Sequence, residues 1–138
     1  MTRLRMSFVY LLILIVLLFL AYVRLAPSDA ARWHKPVTIT EDKTFKGGAA
    51  RVIVASEGTL AKLDAAAQAL PRTTVLAGSV AEGRITYVTR SAAIGFPDYT
   101  TIEQDGDTIK LYARLRFGRS DLGVNGARLR KLLQAVEG

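Results

Sequence analysis

The hydrophobic pattern of the chain begins with a long apolar run close to its amino terminus. Sixteen consecutive apolar residues extend from Phe8 to Val23. As a helix rising about 1.5 Å per residue, residues 6–26 would span about 31 Å, which matches a bilayer hydrocarbon core of about 30 Å. We therefore predict a transmembrane anchor over residues 7–26 that contacts the lipid bilayer, preceded by a short basic amino terminus, residues 1–6.

A cleaved signal peptide is the alternative interpretation of this run, with Ser28, Asp29 and Ala30 around its cleavage site. The hydrophobic region of a signal peptide usually has about 7–15 residues, and this run is at or beyond that limit. Arg24 also precedes the site, so we favour a retained anchor. The flanking Lys and Arg residues are balanced and leave the orientation open. We expect a single-pass protein of a bacterial inner membrane with its carboxy-terminal domain in the periplasm.

Polar residues replace the apolar run over residues 27–48, which we interpret as a connector. Prolines interrupt this segment, and Val37 and Ile39 offer one short edge strand. Trp33 has two interpretations, because its ring can rest in the membrane interface or cap the folded domain. His34 is predicted to be an exposed linker residue.

In residues 49–138, short segments alternate apolar with polar residues, and two segments repeat apolar residues at helical spacing. This pattern predicts one domain of strands and helices. We predict strands over residues 51–55, 73–77, 84–91, 99–104 and 108–117. The first helix follows Ser56 as its cap and stops at Pro71, and the second begins with Asn125 as its N-cap. The fold class is α+β: the amino-terminal transmembrane helix is followed by a small antiparallel sheet of four to five strands, packed with two helices, the second carboxy-terminal.

The last predicted strand separates apolar from basic side chains. Alternate residues from Ile109 onward are apolar, whereas Arg114 and Arg116 belong to the opposite face. Residues 108–138 carry seven Lys and Arg against two acids, in a chain with a formal net charge of +7. A basic sheet face attracts anions, which include lipid headgroups, phosphates, glycans and acidic protein surfaces.

Composition excludes several classes of site. The chain has no Cys and a single His, which excludes disulfides, thiol nucleophiles and cysteine-based metal sites and argues against a Ser-His-Asp triad. We therefore predict no catalytic residue, no metal ligand and no cofactor. The sequence has no nucleic-acid-binding motif and no aromatic-basic platform, so we expect no nucleic acid as a partner.

Candidates for ligand or partner contacts lie in the carboxy-terminal part of the chain: Arg90, Asp98, Arg114, Arg116, Arg119, Ser120, Asp121, Asn125 and Arg128. Two of them, Asp98 and Asp121, would suit general acid–base chemistry if the fold brought them into one cleft with different pKa values. Each also has a structural role available, Asp98 in a turn and Asp121 at the positive end of a helix. We therefore treat catalysis as an alternative hypothesis.

Three short motifs stand out in this region. They are Phe-Pro-Asp-Tyr at residues 96–99, Arg-Leu-Arg-Phe-Gly at residues 114–118, and Ser-Asp-Leu-Gly-Val-Asn at residues 120–125 with Arg128 after it. Over about residues 50–138 the chain resembles domain of unknown function 1499, an uncharacterised and mainly bacterial family. The resemblance implies one domain whose signature holds Asp98, Arg116, Ser120, Asp121, Gly123, Asn125 and Arg128, and it implies no activity. Many relatives carry paired acids where this chain has Asp98-Tyr99, which weakens the two-carboxylate hypothesis.

Our leading hypothesis is a membrane-anchored, non-enzymatic envelope domain that binds a protein partner or an anionic or lipidic ligand through its basic sheet face. One alternative is an accessory subunit of a membrane protein complex, in which the apolar helix itself forms the interface. Another is a hydrolase or isomerase that uses Asp98 or Asp121 with support from arginine.

Overall fold

The computed structural model describes residues 2–137. Along these residues the secondary structure elements are α1 (Thr2–Leu25), α2 (Ala30–Trp33), β1 (Lys43–Phe45), β2 (Gly48–Val54), α3 (Thr59–Gln68), β3 (Thr73–Ser79), β4 (Arg84–Arg90), β5 (Pro97–Asp105), β6 (Thr108–Leu115) and α4 (Val124–Glu137). The α+β prediction is confirmed.

The six strands form one sheet in the order β1-β2-β6-β5-β4-β3, and every neighbouring pair is antiparallel. The predicted strands all occur. The sheet exceeds the expected four to five strands because residues 43–45 pair with the start of β2. The short strand suggested at Val37 and Ile39 was wrong, since neither residue belongs to a strand.

Helices α3 and α4 cover one face of the sheet and form the core with it. Apolar side chains from both helices and from β2, β4, β5 and β6 make one buried cluster, in which Leu63, Leu111 and Leu129 are fully buried. The Tyr87 hydroxyl crosses from the sheet to α3 and donates to Asp64 Oδ1 at 2.6 Å. Burial and this bond raise the pKa of Tyr87 well above its ordinary value, so the phenol stays protonated.

The predicted N-cap residues of both helices were wrong, although α4 begins within one residue of Asn125. The N-cap of α3 is Gly58, whose φ of 77° lies in the left-handed region, and Ser56 bonds instead to the Thr59 hydroxyl at 2.6 Å. Helix α4 begins at Val124, so Asn125 lies inside the helix and is fully buried. A polar residue type favours a cap, but tertiary contacts decide which polar residue occupies the position.

The opposite face of the sheet is covered by residues 27–37, which we call the strap. The Trp33 ring stacks on Tyr99 with a centroid distance of 4.0 Å and an interplanar angle of 13°, so Trp33 caps the domain. His34 Nδ1 lies 2.8 Å from the Thr86 hydroxyl. The prediction of an exposed His34 was wrong, because the ring is half-buried against the sheet.

Helix α1 extends away from this domain. Its large apolar side chains from Phe8 to Phe19 are all exposed. The helix has a mean hydropathy of 2.8 over its most apolar eighteen-residue window, and its length and composition suffice to cross a membrane. A helix of this kind near an amino terminus is a membrane anchor or a signal sequence.

Candidate functional site

The strand register places several loops at the same end of the sheet as the end of α1. β2 and β5 start there, and β4 and β6 finish there. The connecting segments at this end are residues 46–47, 69–72, 91–96 and 116–123. We call this the α1 end of the domain, and the opposite end the far end.

The last turn of α1 is docked on the α1 end. Val23 is fully buried, and its carbonyl accepts a hydrogen bond from Arg90 Nη1 at 3.1 Å. The guanidinium of Arg24 donates from Nη2 to the carbonyl of Ala93 at 2.7 Å and from Nε to the carbonyl of Ile94 at 3.1 Å. Helix and domain are therefore joined by side-chain contacts as well as by the chain itself.

Aromatic rings extend this contact. Tyr22 meets Phe117 edge to face with a centroid distance of 6.0 Å, and Phe117 in turn lies 6.2 Å from the Phe96 ring. Leu25 remains 80% exposed beside this row. Tyrosine and other aromatic side chains favour the zone between hydrocarbon and water, so this row is chemically suited to a membrane interface.

A cleft of about 380 Å³ opens between the loops of the α1 end and the start of α4. Five of the candidate residues line it: Arg90, Asp98, Ser120, Asp121 and Arg128. Apolar walls from Phe96, Leu115 and Phe117 complete the cleft. Concave surfaces of this size with a few polar groups on apolar walls are typical of small-ligand sites.

Asp98, Asn125 and Arg128 form a hydrogen-bonded cluster at the floor of the cleft. Asp98 Oδ2 accepts from Asn125 Nδ2 at 3.3 Å and lies 3.5 Å from Arg128 Nη1. The same Nη1 also donates to Asn125 Oδ1. Burial raises the pKa of the Asp98 carboxyl, and Arg128 opposes that shift only in part.

Asp121 has the opposite electrostatic character. Burial opposes its ionisation, but its Oδ1 accepts from the Gly123 amide and its Oδ2 from the Asn125 amide, both at 3.0 Å, and these bonds hold the pKa of Asp121 below its usual range. It therefore stabilises the start of α4, the role open to it at the positive end of a helix. The neighbouring Ser120 is exposed, and its hydroxyl accepts a long bond of 3.4 Å from the Leu122 amide.

Three other candidate arginines lie outside the cleft. Arg114 donates from Nη2 to the Trp33 carbonyl at 2.6 Å, and burial lowers its pKa to about 10, so it stays cationic at neutral pH. Arg116 donates from Nη1 to the Pro27 carbonyl at 3.1 Å. Arg119 is exposed. Arg114 and Arg116 thus hold the strap against the sheet, which occupies the face that the strand pattern assigned to a partner.

Sequence reasoning missed Arg24 and Arg72 as site residues. Both line a second cavity that adjoins the cleft, and Arg72 also lines the cleft itself. In the sequence, Arg24 served only as an argument against cleavage of the apolar run. Arg72 has a φ of 52°, an unusual conformation for a residue other than glycine, and only the folded backbone reveals it.

Charge is distributed unequally between the two ends of the domain. The connecting segments at the far end, residues 55–58, 80–83 and 106–107, contain no Lys or Arg and carry the acids Glu57, Glu82 and Asp107. The loops at the α1 end carry one acid, Asp121, and the cations Lys46, Arg72, Arg116 and Arg119. The domain is therefore electrically polar, with its basic end where α1 is attached.

Within residues 2–137, no group of three or more His, Asp or Glu side chains is placed to hold a metal ion. The arrangement in the cleft can instead present guanidinium and hydroxyl donors to an anionic or hydrogen-bonding group.

Comparison with known proteins places this geometry in a family. No curated protein matches the chain by sequence. A family model described as a protein of unknown function, DUF1499, matches residues 27–136. The match starts in the strap rather than at about residue 50, which agrees with the packing of the strap on the sheet. The chain therefore belongs to the DUF1499 family.

Proposed function

We propose that this protein is a membrane-anchored domain that keeps its basic end against the membrane surface and binds an anionic ligand or an acidic protein partner in the cleft at that end. The observation that carries the proposal is the docking of the last turn of α1 beside the cleft. The proposal places the anchor in a bacterial inner membrane and the domain in the periplasm.

Retention of α1 is supported by contacts that the domain makes with residues at and before the alternative cleavage site. Ser28 Oγ lies 2.7 Å from the Tyr99 hydroxyl, and the Pro27 carbonyl accepts from Arg116. Val23, in the last turn of α1, is fully buried by the domain. Cleavage near residues 28–30 would remove these partners and leave Arg90 and Arg116 without the carbonyls that they bind.

The unequal charge supports the orientation. Anionic headgroups attract basic residues that lie close to the membrane surface. The cations of the α1 end lie where the apolar helix ends, and the acids of the far end are directed away from it. Both features favour the same arrangement, in which the cleft opens near the headgroups.

Binding rather than catalysis is supported by the contacts in the cleft. Asp121 uses both carboxylate oxygens as helix-capping acceptors, and Asp98 is paired with Arg128 and Asn125. The hydrogen bonds of Arg128 within residues 2–137 use only Nη1. Its remaining N–H groups are therefore able to meet an anion that enters the cleft.

Affinity purification of the tagged full-length protein from its own membranes, in a mild detergent, tests the proposal. Mass spectrometry would identify the proteins and small molecules that co-purify. We expect a stoichiometric partner or anionic molecule with the wild type and with the control Arg130→Met, which removes an exposed charge two residues further along α4. Arg128→Met should reduce its recovery. Equal recovery from both folded variants would contradict binding in the cleft.

The nature of the co-purifying molecule separates the two forms of the proposal. A stoichiometric membrane protein would favour an accessory-subunit role, and a small anionic molecule would favour a ligand-binding module. Intact mass of the same sample reports whether α1 is retained, and protease treatment of spheroplasts reports which side of the membrane holds the domain. A mass lacking residues before the strap would contradict anchoring.

Catalysis by Asp98 and Asp121 is a second candidate because both carboxyls line one cleft and their pKa values are shifted in opposite directions. Such a split is typical of an acid–base pair. Asp98→Asn distinguishes the two functions. A catalytic Asp98 predicts that Asp98→Asn gives the same cellular phenotype as deletion of the protein. A binding cleft predicts that recovery of the ligand is unchanged or increased, because Arg128 is no longer neutralised by a carboxylate.

A further inference from the structure

A second cavity, of about 410 Å³, adjoins the cleft on the side of α1. Three arginines line it, Arg24, Arg72 and Arg90, and no Asp or Glu does. We infer that this cavity binds the phosphate group of an anionic phospholipid headgroup from the surrounding membrane. The inference rests on the proposed anchoring by α1. The cavity shares Arg72, Arg90, Ser91 and Ala92 with the cleft, whereas Arg24 lines only this cavity.

The three guanidinium groups are held in place by backbone carbonyls. Arg90 Nη1 donates to the carbonyls of Val23 and Gly95, at 3.1 and 2.9 Å. Arg72 Nε donates to the Arg90 carbonyl at 3.0 Å, and the Arg90 amide returns a bond to the Arg72 carbonyl at 3.0 Å. Arg24 is fixed by its bonds to the loop that follows β4. The cations therefore converge without any contribution from a bound group.

None of these three arginines forms a salt bridge with a carboxylate in the described part of the chain. Three like charges around one cavity repel one another, and an anion that enters the cavity relieves this repulsion. The backbone of Arg72 adds a local strain, because a φ of 52° is costly for a side chain with a β-carbon. Strain of this kind is often found where a structure positions a ligand-binding group.

The hydrogen-bond donors in the cavity suit a phosphate. Guanidinium groups match the spacing of phosphate oxygens and bind them with two parallel N–H···O bonds. Ser91 also lines the cavity. Its Oγ accepts from the amides of Gly95 and Phe96, at 3.1 and 3.0 Å, so its own O–H is left to donate.

The position of the cavity identifies the membrane as the source of the phosphate. Arg24 is the penultimate residue of α1, and Tyr22 precedes it in the row of aromatic rings suited to the interface. A helix that spans the hydrocarbon core ends at the depth of the lipid phosphates. The cavity is thus placed where an anionic headgroup is always available, whereas a soluble phosphate compound would have to approach the membrane.

Native mass spectrometry of the full-length protein in a non-ionic detergent tests this inference. The protein is titrated with short-chain phosphatidylglycerol, with phosphatidylcholine of the same chain length, and with phosphatidylglycerol in the presence of inorganic phosphate. Arg24→Gln and Arg72→Gln remove one charge each from the cavity. Arg130→Gln is the matched control, and circular dichroism checks that each variant is folded.

We expect the wild type and Arg130→Gln to bind phosphatidylglycerol in preference to phosphatidylcholine. Arg24→Gln and Arg72→Gln should each weaken this binding about tenfold, the effect of losing one charge-assisted hydrogen bond. Binding of the two lipids with equal affinity, or equal binding by all folded variants, would overturn the inference. If inorganic phosphate binds as tightly as the lipid, the cavity is a phosphate site, but the inference that the phosphate comes from a membrane lipid is overturned.

Two further results separate this site from the cleft. Arg128→Gln should leave phosphatidylglycerol binding unchanged, because Arg128 lines the cleft and does not line this cavity. Lipid binding that depends on Arg128 and not on Arg24 would overturn the second site and support a lipid in the cleft. Intact mass of the same sample shows directly whether α1 is present, so a failure of anchoring is recognised separately.

Discussion

Replacement of Trp33 by alanine tests whether the strap is an integral part of the folded domain. The indole ring is half-buried and stacks on Tyr99 at 4.0 Å. The backbone carbonyl of Trp33 accepts a hydrogen bond from the guanidinium of Arg114. The Cζ atom of that guanidinium lies 5.5 Å from the centroid of the Trp33 ring. One side chain therefore connects the strap to both β5 and β6.

The expected loss in free energy of unfolding for Trp33→Ala follows from these contacts. Burial of half of a tryptophan side chain removes about 100 Å² from water, which contributes about 2.5 kcal/mol at about 25 cal/mol per Å². Aromatic stacking adds about 0.5–1.5 kcal/mol. Because the unfolded chain is not fully extended, we expect a net loss of about 2–3 kcal/mol. For a domain of this size each kcal/mol lowers Tm by about 4 °C or more, so Tm should fall by about 10 °C.

Thermal unfolding of the full-length protein, followed by circular dichroism in a non-ionic detergent, measures this change. Trp33→Phe retains a stacked ring and should lose less than half as much stability. Lys35→Ala removes an exposed side chain from the same strap and should unfold like the wild type. A Trp33→Ala protein with the wild-type Tm would refute the reasoning, because the strap would then be a tether that contributes nothing to the domain.

Three further changes test other contacts. Gly78→Ala should lower stability by more than about 2 kcal/mol, since φ is 86° and a β-carbon would meet the carbonyl oxygen of Arg84; urea unfolding measures it. Asp121→Ala removes two backbone acceptors at the start of α4 and should cost about 1–2 kcal/mol in the same assay. Burial and Arg84 lower the pKa of His34, so neutral His34 stabilises the fold above about pH 6.5 and this contribution is lost as the pH falls. Fluorescence of Trp33, the neighbouring residue, should report the loss of this contribution as the pH falls. His34→Gln should remove the pH-dependent change in fluorescence.

The elements that depend on local patterns could be predicted from the sequence. The alternation along β6 places Ile109 and Leu111 in the core, and both are fully buried. The apolar stripe of α4 does the same for Leu129 and Leu132, which are 0% and 1% exposed. In both segments the spacing of the apolar residues predicts which face is buried, and that face is buried in the structure.

The misassigned features depend on contacts between distant parts of the chain. Asn125 has the chemistry of an N-cap, but its side chain bonds to Asp98 on β5, and Asp121 supplies the capping oxygens. The polar composition of residues 27–48 does not indicate the strap, because Trp33 packs against Tyr99 and Arg114, which lie on β5 and β6. A local pattern cannot show which polar residue will find its partner across the sheet.

The candidate site was predictable only in part, for the same reason. Five of the nine candidate residues line the cleft, because the loops that carry them meet at one end of the sheet. The sequence assigned Arg114 to an open basic face, whereas the strap covers that face and accepts its hydrogen bonds. Arg72 is recognised as a site residue only from its backbone conformation and its hydrogen bond to Arg90 in the folded structure.

Depth-dependent quenching by spin-labelled lipids tests the central claim most directly, namely that the α1 end of the domain rests on the membrane. The chain has no Cys, so a fluorophore can be attached to a single introduced cysteine in the full-length protein in nanodiscs. Ile94→Cys marks the α1 end, where Ile94 is 38% exposed, and Glu82→Cys marks the far end. The account predicts strong quenching of the label at position 94 and little at position 82. Equal quenching at the two positions, or stronger quenching at position 82, would contradict it.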